Sequence, residues 1–267
     1  MGFIKVFTIC VCVVVIFMLG CTPKKNERSI FVYCAANMEP VLGQIAKKYK
    51  KEYGIRVDVQ YGGSGTLLSN LRVANQGDLY IAADESYVHE AIVQDLVGKT
   101  QSLADIVPVI AVAKGNPKGL MKIDDLFTNG LKVAIANPDA ASIGRLTKKI
   151  FMEEGYWDML QNNITVQMFT VNEVANTVKL GTADVGVIWD ATANQYDEID
   201  IVPIPEFEKY ASTITAGVLN FSDKKDEALK FMMYMAAMNK GLKVFDSIGY
   251  RPISKRFAPS ESRKNSK

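Results

Sequence analysis

The sequence is short of the parts from which most active sites are built. Its 267 residues include one histidine, His89, and four cysteines. It has no HExxH pair, no GxSxG elbow and no phosphate-cradling Walker loop. His89 falls in the charged segment 85–90, which reads as a surface helix. The carboxylates follow no motif. Asp78 and Asp84 flank one short strand, where turn or cap roles are simpler than a catalytic pair. Charge of one sign is also lacking: 31 Lys and Arg stand against 29 Asp and Glu, a formal net charge of +2. Several of the basic residues lie in the tail 255–267, so no strong basic face argues for nucleic acid. Together these absences weigh against an enzyme and against a nucleic-acid binder.

Long hydrophobic runs are equally scarce. Residues 6–19 form one of about 14 residues, short of the roughly 20 that a membrane-spanning helix requires. Lys5 precedes it and Gly20-Cys21 follows, the layout of a signal peptide. Met18-Leu19-Gly20-Cys21 resembles a bacterial lipobox, which implies that Cys21 carries lipid and becomes the mature N-terminus. An uncleaved membrane anchor is the competing reading. The expected organisation is a lipoprotein signal peptide over 1–20, a polar tether over 21–29 and a disordered tail over 256–267. Cys10 and Cys12 leave with the signal. Cys34 then stands alone in an apolar strand, so neither a disulfide framework nor metal-type cysteine spacing is present. It is most simply a small buried residue.

What is present is a regular alternation of strands and helices. Short β-branched runs at 30–35, 55–61, 79–82 and 107–113 read as strands. Residues 39–53 place Val41, Leu42, Ile45 and Tyr49 on one helical face, and Gly54 ends that helix. Residues 66–74 form a second helix. The scheme repeats with strands at 132–136, 166–170, 185–189 and 214–221, and helices at 145–154, 173–180 and 225–239. A Met run at 232, 233, 235 and 238 reads as core packing. This alternation predicts an α/β architecture, in which ligands bind beyond the carboxyl ends of strands.

The unusual loops lie at those ends. Four segments run from a strand through a short polar turn into a helix: 34–39, 61–66, 137–144 and 170–174. Each helix start exposes unpaired N–H groups and the positive end of a dipole. Several of them converging on one cleft would hold a dianion without a buried Lys or Arg. Asn37 and Ser64 can donate from their side chains as well. Each segment alone reads as an ordinary capped turn; it is their number, at corresponding points in both halves, that points to a site.

Phe31-Val32-Tyr33-Cys34-Ala35-Ala36-Asn37, Gly62-Gly63-Ser64-Gly65-Thr66-Leu67 and the run from Gly77 through Leu79-Tyr80-Ile81-Ala82 to Asp84 resemble the periplasmic molybdate-binding proteins of ABC importers. Asn137-Pro138, Asn172-Glu173-Val174 and Gly186-Val187-Ile188-Trp189 follow in the family's order. The resemblance implies a two-lobed type II binding-protein fold with mixed sheets flanked by helices and a ligand cleft between the lobes. Lobe 1 would comprise 30–108 and 219–255, and lobe 2 residues 109–218. The implied ligand is molybdate or tungstate, with no further cofactor and no cation ligands. The ligand contacts would be Asn37, Ser64, the backbone N–H of Ile143 with Ser142 as its neighbour, the backbone N–H of Val174, and Trp189. The implied setting is an exported, membrane-anchored monomer in the periplasm or on the outer face of the cell membrane, partnered by an ABC permease. The chain departs from the family in two places: Asn37 stands where Ser is usual and Trp189 where Tyr is usual. Asp190, next to Trp189, would disfavour an anion if it faced the cleft. A different small anion or an organic ligand, an enzyme on this scaffold, and a membrane-tethered sensor are the alternatives.

Overall fold

The computed structural model describes residues 28–254. Residues 1–27 and 255–267 lie outside the described residues, and with them the expected signal peptide over 1–20, Cys21, most of the expected tether and the expected tail over 256–267.

The first strand, β1 (Ser29–Ala35), is flanked by parallel β2 (Arg56–Gly62) and β3 (Leu79–Ala82). Helix α1 (Glu39–Tyr53) joins β1 to β2. It buries Val41, Leu42, Ile45 and Tyr49, and the left-handed Gly54 (φ 68°) ends it by donating to the Lys50 carbonyl. Helix α2 (Ser64–Ala74) joins β2 to β3, and α3 (Glu85–Val93) follows β3. The sheet is completed by β4 (Val97–Ile106), β10 (Ser212–Leu219) and β11 (Arg251–Pro252), in the order β11-β4-β10-β3-β1-β2. Two C-terminal helices, α8 (Lys225–Ala236) and α9 (Gly241–Ser247), close its face. Tyr49 of α1 packs edge-on against Phe231 and Tyr234 of α8, with ring centroids 4.8 and 5.1 Å apart. Each such buried aromatic or aliphatic side chain is worth about 1.5–3 kcal/mol.

The second sheet has the order β7-β6-β8-β5-β9. Its strands are β5 (Pro108–Ala113), β6 (Val133–Ala136), β7 (Ile164–Met168), β8 (Val185–Trp189) and β9 (Ile199–Val202). Helices α4 (Ser142–Glu153), α5 (Trp157–Gln161), α6 (Val171–Lys179) and α7 (Asp190–Ala193) flank it. Both sheets are mixed: β1, β2 and β3 run parallel, as do β6, β7 and β8, while β10 and β5 run against their neighbours.

The chain crosses between sheets at Val107, between β4 and β5, and again between β9 and β10. The second crossing comes earlier than a division after residue 218 requires. Residues 212–218 pair with β3 and β4 and so belong to the first lobe. An apolar strand of this kind reads the same in either sheet; its hydrogen-bond partners alone assign it. β4 also escapes the periodicity argument, because Lys99, Thr100, Gln101 and Ser102 interrupt its apolar pattern. The ladder to β10 holds it in place.

Candidate functional site

Where the two lobes face each other they enclose a small cavity. It is lined by Ala35, Ala36 and Asn37 after β1, Gly62, Gly63 and Ser64 after β2, and Ala83 after β3. The second lobe contributes Ala141, Ser142 and Ile143 at the start of α4, Val171 at the start of α6, and Trp189 at the end of β8. Every contribution comes from the carboxyl end of a parallel strand or from the loop and helix start that follow it, where α/β proteins place ligands. All four strand–turn–helix segments meet here. No lining side chain carries a charge.

The helices start earlier than their apolar spacing suggests. α2 begins at Ser64, α4 at Ser142 and α6 at Val171, each two or three residues ahead of the periodic pattern. Those extra residues carry the first-turn amides that have no carbonyl one turn back. Neither α2 nor α4 has a side chain capping its start. α6 is capped: Thr170 accepts from the Glu173 N–H at 3.3 Å, and Glu173 accepts from the Thr170 N–H at 2.8 Å. That box leaves the Val171 and Asn172 amides outside the cap.

Val174 is therefore placed differently from the expectation. Its N–H donates to the Thr170 carbonyl at 3.3 Å. Its side chain faces β8, where a Cβ on Gly186 would lie 2.8 Å from Val174 Cγ1. It is a core residue of the second lobe, and Val171, one turn earlier, occupies the cavity wall. The polar Asn172-Glu173 pair hid this start, since apolar periodicity begins only at Val174; the capping pattern Thr170-x-x-Glu173 was the signal that would have found it.

The other four positions meet. Ser64 Oγ accepts from the Ala83 N–H at 3.2 Å, which leaves its own hydrogen free to donate. Its carbonyl accepts from the Tyr80 hydroxyl at 2.8 Å. Asn37 is held through its backbone: its carbonyl accepts from the Tyr250 hydroxyl at 2.5 Å and from Gln195 Nε2 at 3.4 Å. Its side-chain Nδ2 is buried and has no partner. A buried donor left unpaired costs about 1–3 kcal/mol, so this amide is poised for an acceptor. Trp189 and Ile143 are each 1% exposed at the cavity wall.

Asp190 does not face the cleft. Its Oδ1 accepts from the Val107 and Ala191 N–H groups at 3.0 and 2.7 Å, and its Oδ2 pairs with Arg251 at 3.0 Å. Burial pushes its carboxyl above the ordinary aspartate range, against those hydrogen bonds and Arg251. The two acids flanking β3 are also engaged within the fold. Asp84 caps α3 through the Ser86 N–H at 2.8 Å. Asp78 accepts from the Phe31 N–H at 2.7 Å and from the Ser222 hydroxyl at 2.6 Å.

The lobes touch around the cavity. The Thr66 N–H donates to the Ala140 carbonyl at 3.1 Å, and Asn172 Nδ2 to the Ala36 carbonyl at 3.1 Å. A Cβ on Gly63 would lie 2.4 Å from the Ala140 oxygen and 2.6 Å from that of Phe169. Only glycine permits this approach. The space left open to the centre of a water molecule is about 10 Å³, room for roughly one water. This is a closed arrangement, and a larger solute would hold the lobes slightly further apart.

A neutral, donor-rich cavity closed between two lobes is what a protein that captures and releases a solute requires. The sequence profile of the bacterial extracellular solute-binding proteins matches residues 30–251. The chain belongs to that family. Among curated relatives of this solute-binding protein, a Haemophilus influenzae protein named only as a binding protein is 27% identical over 241 residues, covering 90% of this chain and 98% of its own. The molybdate-binding protein ModA of Mycobacterium tuberculosis is 26% identical over 231 residues, covering 85% and 86%. Among solved structures, the Azotobacter vinelandii periplasmic molybdate-binding protein superposes with a TM-score of 0.70 at 23% identity, over 83% of this chain and 98% of that one. At that identity the superposition establishes the two-lobed fold, not the solute.

Proposed function

We propose that this solute-binding protein captures a tetrahedral oxyanion, molybdate or tungstate, outside the cytoplasm and delivers it to an ABC importer. The observation that carries the reading is the convergence of four amino-terminal turns on one uncharged cavity, with the Nδ2 of Asn37 buried there and unpaired. Backbone and side-chain donors suit an anion that only accepts hydrogen bonds. Bonds to a charged group are worth about 1.5–3 kcal/mol each, and a handful offset the cost of closing the lobes. The M. tuberculosis and E. coli relatives named as molybdate-binding support the choice of anion. The donors are the amide of Asn37, the hydroxyl of Ser64, the backbone N–H groups of Ile143 and Val171, and the indole N–H of Trp189. Cys21 would carry the lipid that keeps the receptor beside its permease.

Calorimetric titration of the chain beginning after Cys21 tests the reading. Molybdate and tungstate should bind one to one, and sulfate and phosphate much more weakly. No heat with any of the four, from folded and solute-free protein, would move the assignment to another small anion or an organic solute contacted by Trp189. Replacing Cys21 with Ser should release the full-length protein from membranes without altering affinity; continued retention would disprove the lipid anchor.

A further inference from the structure

Outside the cavity, the side chain of Arg145 in the second lobe is seated on the first. Arg145 lies one turn into α4, where its N–H donates to the Ala141 carbonyl. Its guanidinium carbon sits 3.7 Å from the centroid of the Tyr87 ring on α3. Its NH1 also pairs with Glu90 Oε2 at 3.3 Å. Neither Arg145 nor its two partners lines the cavity.

The receiving half of this contact is built entirely within the first lobe. Arg72 of α2 pairs with Glu90 Oε1 at 2.6 Å and donates from Nε to Gln94 at 2.6 Å, so the Glu90 carboxylate is held in place from the far side. Tyr87 is fully buried, and its hydroxyl has no hydrogen-bond partner. What it presents to Arg145 is therefore the ring face, the side that attracts a cation. The same ring adjoins the start of α2, where a Cβ on Gly65 would meet Tyr87 Cε1 at 3.2 Å and the Asp139 oxygen at 2.6 Å. The contact thus belongs to the surface on which the lobes close.

We propose that Arg145 is a closure latch: a positioning residue that sets how long solute stays trapped without touching it. The proposal rests on the solute-binding reading but not on which solute is bound. The first turn of α4 presents Ser142 and Ile143 to the cavity, and its second turn carries Arg145. Helix and latch move as one piece. Solute enters the open form, in which Arg145 and Tyr87 are apart, so the latch leaves association unchanged. It acts on the closed form alone and slows reopening.

Stopped-flow measurements with sodium molybdate, followed by tryptophan fluorescence, test this with Arg145→Ala and Arg145→Lys. The expected result for Arg145→Ala is dissociation faster by about two- to fivefold, as loss of a cation–π contact from a half-exposed arginine implies. Association should stay within about twofold and the solute-free melting temperature should not move. Lysine, which keeps the charge over the ring, should restore part of the loss. An unchanged dissociation rate, or a fall in solute-free stability that accounts for the loss, overturns the latch. If wild-type protein gives no molybdate signal, the oxyanion reading fails by itself. The latch is then read from small-angle scattering of solute-free protein as the fraction closed. That fraction should be larger in wild type than in Arg145→Ala, and equal fractions overturn it.

Discussion

Val107 and Asp190 grip each other at the first crossing between the lobes. The Val107 N–H donates to Asp190 Oδ1 at 3.0 Å, and the Asp190 N–H donates back to the Val107 carbonyl at 2.8 Å. Arg251, on the edge strand β11 of the first lobe, reaches Asp190 Oδ2 and also pairs with Glu208 at 3.0 Å in the second crossing. The Asp190 carboxylate thereby ties the end of the cavity-lining strand β8 to the first crossing directly and, through Arg251, to the second.

This placement has a pH signature. Burial raises the Asp190 carboxyl above its unfolded value. Between the ordinary aspartate pKa of about 3.9 and the folded value, the folded chain holds the extra proton. The contribution of this group to stability is then full below the unfolded pKa and declines as pH rises through the folded one. Asn at 190 keeps the Val107 acceptor and does not titrate. In thermal unfolding across the acid range, wild type should lose stability relative to Asp190→Asn as pH rises through this window. A flat difference contradicts the assignment.

Ser64→Ala removes a hydroxyl whose hydrogen is free for the solute. Affinity for molybdate should fall by about 1–3 kcal/mol in a calorimetric titration. An unchanged affinity removes this side chain from the site.

Val171→Pro separates the amide at the first position of α6 from the fold around it. Proline is tolerated at the first helical residue, and Thr170, at φ −133° and ψ 157°, already has the extended backbone that must precede one. Molybdate affinity should fall by about 1.5–3 kcal/mol with little change in melting temperature. Equal affinity would show that the Val171 N–H makes no contact with the anion.

Gly63→Ala tests closure directly. Its backbone, at φ −67°, accepts alanine without strain, but the added carbon would collide with the Ala140 and Phe169 carbonyls of the other lobe. Solute-free stability should hold while affinity drops at least tenfold. Small-angle scattering with saturating molybdate should show a chain that stays more open than wild type. Full closure of the variant would show that these carbonyls can yield.

The local elements were legible in the residues themselves. Helix α1 runs from Glu39 to Tyr53 as its apolar face and Gly54 dictate, and β3 and β8 match their apolar runs. The four turns at strand ends were visible because Gly, Ser, Asn and Asp there break both periodicities. Their convergence was not. Sequence spacing says nothing of how two sheets face one another, and the contacts that decide it, such as Thr66 to Ala140 or Asn172 to Ala36, join residues far apart in the chain. Asp190 illustrates the limit: beside Trp189 its carboxylate reads as a threat to any anion, and only its bonds to Val107 and Arg251 show where it points. Val174 and Val171 illustrate another. Both are apolar residues of one helix, and the choice between core and cavity wall depends on where the first turn begins. Local chemistry determined the donors this protein carries. Tertiary packing decided which of them are left unpaired, because a donor is free only when the fold supplies it no other acceptor.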